Sequence, residues 1–198
     1  MTTSKPTSDP PALRTHLWRL DSALLIKAVA GGLIHAVLYW PSAAFDLVLP
    51  LQPGLDLQVR PGLVAPLFVG FTHGPVAGAI TGVVGRLVGE LLAGRPGGAG
   101  SLAIGMLQSG LLGLVAGLGS VRRFRALRDV GAVALWTLLA ALGAQGLPVL
   151  VVLVLAQFRP GTTVEINIVL SGLLTTLVNA ALLLPAVLVL WDRSRPRR

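Results

Sequence analysis

Apolar residues run in long blocks along this chain, and the few polar residues inside them fall at intervals. Five blocks, Ser22–Ala44, Pro75–Ala93, Ser101–Gly119, Val130–Phe158 and Val164–Trp191, have the ~20-residue length that carries a helix across about 30 Å of hydrocarbon. A sixth, Val59–Thr72, is shorter and reaches only about 21 Å as a helix. Pro50, Pro53 and Gly54 break the Phe45–Gln58 segment, whose DLQV run pairs as a short strand or packs as a lid. Thr72-His73-Gly74-Pro75 reads as a tight turn, residues 94–100, 120–129 and 159–163 as loops, and Pro148 as a kink in the fifth helix. The pattern predicts an all-α integral membrane protein. It is a bundle of six transmembrane helices with a short second helix, over residues 22–191, between a polar tail (1–21) and a basic tail (192–198).

Composition agrees. The chain of 198 residues is 54% hydrophobic and only 12% charged, too little charge to cover a soluble surface of this size. The net charge of +8 would suggest nucleic acid in a soluble protein, but its distribution reads as a topology signal. With both termini cytoplasmic, Lys5, Arg14, Arg19, Arg122, Arg123, Arg125, Arg128, Arg193, Arg195, Arg197 and Arg198 fall inside. Arg60, Arg95 and Arg159 fall outside, and Lys27 and Arg86 lie within spans. A cleaved signal sequence over Leu24–Tyr39 is the alternative to a retained first helix. The absence of cysteine excludes disulfides and thiolate chemistry.

This topology turns sequence position into depth. His35 and Tyr39 fall in the outer half of the first helix, and Arg86 and Glu90 in the outer half of the third. Gln108, Gln145 and Asn179 lie near mid-depth, and Glu165 and Asn167 at the outer mouth of the last helix. Ionisable groups inside a membrane are costly and point to function. Their one-sided placement suggests a cavity open to the outside, although Arg86 and Glu90 also satisfy the spacing of a simple i,i+4 pair. Gly74, Gly78 and Gly82, with Gly85 and Gly89 beside them, form small-residue stripes that let helices approach closely. Ala28, Gly32 and Ala36 form a second small face on the first helix, for packing or for a partner.

Enzyme readings find little support. His16, His35 and His73 lie at different depths and cannot converge on a metal, Ser109 is not framed as a GxSxG nucleophile, and RPGGAG is not a phosphate-binding GxxxxGK[ST] loop. No cofactor is expected.

The ordered set Arg60-Pro61-Gly62, the Gly74-Pro75 turn, the glycine-striped helix carrying Glu90, and GLLGLVAGL resembles the substrate-binding S component of energy-coupling-factor (ECF-type) transporters. The resemblance implies high-affinity capture of a vitamin or other small nutrient outside the cell, in the plasma membrane, for ATP-driven import. It implies docking on a membrane T component driven by two ATPase subunits, through small residues such as Ala28, Gly32 and Ala36. The pocket would lie between helices 1, 3, 4, 5 and 6 under the loops, with Arg86, Glu90, Gln108, Glu165 and Asn167 as first contacts and His35, Tyr39, Gln145 and Asn179 beside them. Arg86 departs from the family pattern, as do Gln108 and the loop before the fourth helix, so no vitamin identity carries over. An arginine there favours a carboxylate or phosphate. The alternative is a membrane sensor, regulatory or scaffold subunit.

Overall fold

A computed structural model describes residues 21–45, 47–53, 55–94, 98–119, 130–156 and 166–194. In chain order these form α1 (Ser22–Ala44), a hairpin of β1 (Val48–Gln52) and β2 (Leu55–Gln58), a 3-10 turn (Pro61–Leu63), α2 (Val64–His73), α3 (Pro75–Ala93), α4 (Gly98–Leu118), α5 (Val130–Ala156) and α6 (Ile166–Ser194). All helices but α2 are long and apolar enough to cross a membrane, as in a multi-pass membrane protein. Ile26 is 69% exposed and Val37 63%, as lipid-facing residues are.

The second helix departs from expectation in length and in start. Six full spans are not seen among the described residues: α2 has 10 residues, about 15 Å of helix. It also starts later than Val59. The residue before a proline is steered away from the helical region, and Arg60 accordingly sits at φ −127°, ψ 71° ahead of Pro61.

The short α2 stands at the centre of the bundle. Val64, Leu67 and Phe71 pack with Leu112 and Ala116 of α4, Ala140 and Ala144 of α5, and Ala180, Leu184 and Leu188 of α6. Its Val69 packs with Ala28 of α1 and Ala77 of α3. A helix apolar all round and enclosed by neighbours needs no bilayer-spanning length. Gly74 joins α2 to α3 at φ 100°, a conformation that suits glycine, and Pro75 opens α3 at a position where its missing N–H costs nothing. Asp21 caps α1 by accepting the Leu24 N–H at 2.7 Å.

Both small-residue faces are consumed inside the bundle. On α3, Gly78 meets Gly113 and Gly82 meets Ser109 of α4, while Gly85 meets His35 and Gly89 meets Tyr39 of α1. On α1, a side chain at Gly32 would strike Val84 at 2.9 Å, and Ala28 and Ala36 are buried. Ala28, Gly32 and Ala36 thus face α3 and are not an outward docking stripe.

β1 and β2 pair antiparallel, Val48 opposite Gln58 and Pro50 opposite Asp56, with an irregularity between Pro50 and Gln52. The free edge of β2 is bound by side chains of α6. Ser171 Oγ accepts the Asp56 N–H, Thr175 Oγ1 the Gln58 N–H, and Asn179 Oδ1 the Arg60 N–H, each at 3.0 Å. Residues four apart on a helix advance about 6 Å, and alternate strand residues about 6.8 Å, so the two rows stay in step over three rungs. The hairpin is thereby held across one end of the bundle.

Candidate binding site

The site is built around Arg86 at the end of the bundle under the hairpin. Its guanidinium carbon lies 4.7 Å from the Tyr39 ring centroid, and Nη2 pairs with Glu90 Oε1 one turn along α3. On its other side is the backbone of Gly105 in α4, where an added Cβ would come 2.6 Å from Arg86 Nε. The glycine makes room for the guanidinium. Arg86 and Glu90 are 12% and 13% exposed, and Arg86 Nε is buried without a hydrogen-bond partner among the described residues.

Tyr39 is the hub. Its hydroxyl donates to Glu90 Oε1 at 2.8 Å, so one carboxylate oxygen is held by both Arg86 and Tyr39. Arg60 lies 5.7 Å from the same ring centroid. The Tyr39 ring can lie against α3 because Gly89 has no side chain; a Cβ there would come 2.6 Å from Cδ1. His35, fully buried against Gly62 and Gly85, meets the Tyr39 ring edge-on at 6.1 Å.

Two polar cavities share Gln58, Arg60 and Arg86 as a common wall. One, of about 190 Å³, is bounded further by Tyr39, Ser42 and Glu90 and by Leu47 and Val48 at the hairpin. The other, about 40 Å³, reaches Gln108, Gln145, Thr175 and Thr176. Among the ionisable groups lining them are two guanidiniums and one carboxylate, a net positive charge. Gln108 Nε2 donates to Gln145 Oε1 at 3.1 Å, tying α4 to α5 across the smaller cavity. The arrangement suits a small ligand with an anionic group for the arginines and an amide or hydroxyl group for the glutamines and threonines.

The sequence-predicted residues therefore separate. Tyr39, Arg86, Glu90, Gln108 and Gln145 line the two cavities. His35 lines neither of them and backs Tyr39 instead. Asn179 lines neither as well: besides accepting from Arg60, its Nδ2 donates to Gln58 O at 3.0 Å and Thr175 O at 2.7 Å. It anchors the chain that carries Arg60. Glu165 lies outside the described residues, as does the side chain of Asn167. Sequence reasoning missed Gln58, Arg60, Gly105, Thr175 and Thr176 as parts of the site. A stripe of Ser171, Thr175 and Asn179 at i, i+4, i+8 on an otherwise apolar helix was the available signal for the hairpin anchor. Arg60 was read as an outer-side charge and as part of the Arg60-Pro61-Gly62 run, not as a pocket residue.

Comparison with family models, curated proteins and solved structures finds no match to this chain.

Proposed function

We propose that this protein is a membrane-embedded binding subunit of the ECF S-component kind, which captures a small anionic nutrient for ATP-driven import. The observation that carries the reading is Arg86, held between Tyr39, Glu90 and Gly105 on the wall shared by the two polar cavities, with Arg60 on the same ring. A fixed guanidinium in a water-poor site favours a planar anion such as a carboxylate, or a phosphate. The residue order that resembles the S components supports the same assignment, and the arginine asymmetry supports cytoplasmic termini in a plasma membrane, with the cavity facing outward. ATP hydrolysis would then belong to separate subunits. A membrane T component would dock on the apolar outer face of α1, around Ile26, Ile34 and Val37, since the small-residue face is occupied.

The test is titration of purified protein with a panel of vitamins and related nutrients, with their neutral amide analogues alongside. Binding restricted to anionic members, weakened in Arg86→Ala, is the expected result. Equal affinity of wild type, Arg86→Ala and Glu90→Ala would remove those residues from the pocket. Co-purification from the native host with a T component and paired ATPases separates transport from a sensor or scaffold role; reproducible absence of both would overturn it.

A further inference from the structure

The hairpin has two unlike faces. Residues paired across β1 and β2 put their side chains on the same side of the sheet, and the side alternates from one pair to the next. Val48 pairs with Gln58 and Pro50 with Asp56; between them Leu49 pairs with Leu57. The first face is a wall of the polar site, since Val48 and Gln58 both line the cavity of about 190 Å³. The Leu49–Leu57 face is the opposite one. Leu49 is 54% exposed, Leu51 beside the irregularity is exposed as well, and β1 carries no charged residue.

The surroundings of this face are themselves apolar and exposed. The edge of β2 is bonded to Ser171 and Thr175, which lie within the apolar span Val169–Trp191 of α6, and Leu170 beside Ser171 is exposed. At the end of α1 that leads into the hairpin, Trp40 and Phe45 are exposed too. Tryptophan collects at the boundary between lipid and water. The backbone sets the depth. β1 has no further strand beside it among the described residues, and an open sheet edge is not tolerated in hydrocarbon. An apolar face combined with an open edge fits the headgroup boundary, where side chains reach lipid and the edge keeps water.

We infer that the Leu49–Leu57 face of the hairpin is seated on the bilayer, at the boundary of headgroups and acyl chains. Lipid is the occupant because the face continues the exposed apolar flank of α6 at Leu170 and that of α1 at Trp40 and Phe45. The bilayer then supports the back of a wall whose front, at Val48 and Gln58, bounds the polar cavity. The seat holds whether or not that cavity takes a nutrient.

The chain has no cysteine, so one can be introduced and labelled with a fluorophore at a chosen position. Full-length protein in phosphatidylcholine nanodiscs is labelled at Leu49→Cys, at Asp56→Cys on the opposite face, and at Val37→Cys on exposed α1 as a reference for insertion. Each is read with spin-labelled lipids carrying the quencher near the headgroup or near the chain end, and with iodide in the water. Leu49→Cys is expected to lose several times more emission to the shallow lipid quencher than Asp56→Cys, and more to the shallow quencher than to the deep one. Val37→Cys, quenched by lipid throughout, shows that the protein is inserted. Equal shallow quenching at Leu49 and Asp56 would overturn the proposal, as would deep quenching exceeding shallow at Leu49. Quenching of Leu49→Cys by iodide alone would put the face in water, and protection from both lipid and iodide would put a protein on it; either result overturns the lipid seat.

Discussion

The Tyr39 hydroxyl donates to Glu90 Oε1 at 2.8 Å, joining α1 to α3 through the carboxylate oxygen that also holds Arg86. Tyr39→Phe keeps the ring face under Arg86 and removes only this donor. The expected cost is about 1 kcal/mol of stability, read as a lower thermal midpoint in detergent, together with weaker ligand binding. Tyr39→Ala removes the platform as well and should cost several times more.

Gly105 touches the site only through what it lacks. Gly105→Ala places a methyl group 2.6 Å from Arg86 Nε and should displace the guanidinium. Ligand affinity is expected to fall about tenfold while the helical content by circular dichroism stays unchanged, since alanine is a good helix former. In a double-mutant cycle with Arg86→Ala, the two losses should be strongly non-additive. Additive losses would show that Gly105 acts through something other than Arg86.

Asn179→Leu should loosen the Arg60 end of the hairpin. The Arg60 N–H and the Gln58 carbonyl would each lose their α6 partner, at about 1–3 kcal/mol for each group left buried and unpaired. Hydrogen exchange at the Arg60 amide is expected to rise well above that in the core of α2, while the Gln58 amide keeps its Thr175 acceptor. Unchanged exchange at Arg60 would show that Asn179 does not hold this end of the strand.

The glycines should divide by neighbour, not by helix. Gly82→Val drives a side chain into the Ser109 backbone, and Gly113→Val into Gly78; both should prevent assembly of the bundle. Gly146 of α5 has nothing within 4 Å of an added Cβ, so Gly146→Ala should leave stability unchanged or raise it by about 0.5–1 kcal/mol. Thermal unfolding of the three variants in one detergent reads the contrast.

Much of this was legible from residue pattern alone, and the boundaries show why. α1 and α3 run from Ser22 to Ala44 and from Pro75 to Ala93 as the apolar blocks indicate, because Asp21, Gly74-Pro75 and Gly94 punctuate them locally. The start of α2 was misjudged at Val59, although Pro61 carried a local warning about Arg60. The DLQV run was readable as a strand or as a lid, but its pairing partner was not: Asn179 reaches Arg60 across 119 residues, and nothing near Arg60 encodes that meeting. The Arg86–Glu90 pair was readable from i,i+4 spacing, whereas the place of Tyr39 and Gly105 around it depends on how three helices pack. The small face of Ala28, Gly32 and Ala36 was open to an inner or an outer contact until Gly32 was seen against Val84 of α3.

The side-chain ladder from α6 has one more effect. A two-stranded sheet ordinarily offers two open edges to any passing strand, a route to aggregation. Here Ser171, Thr175 and Asn179 already occupy the N–H groups along one edge. On the other, Pro50 withholds a donor in the middle of β1. One edge of the hairpin is thus closed and the other interrupted, which works against extension of the sheet by a further strand.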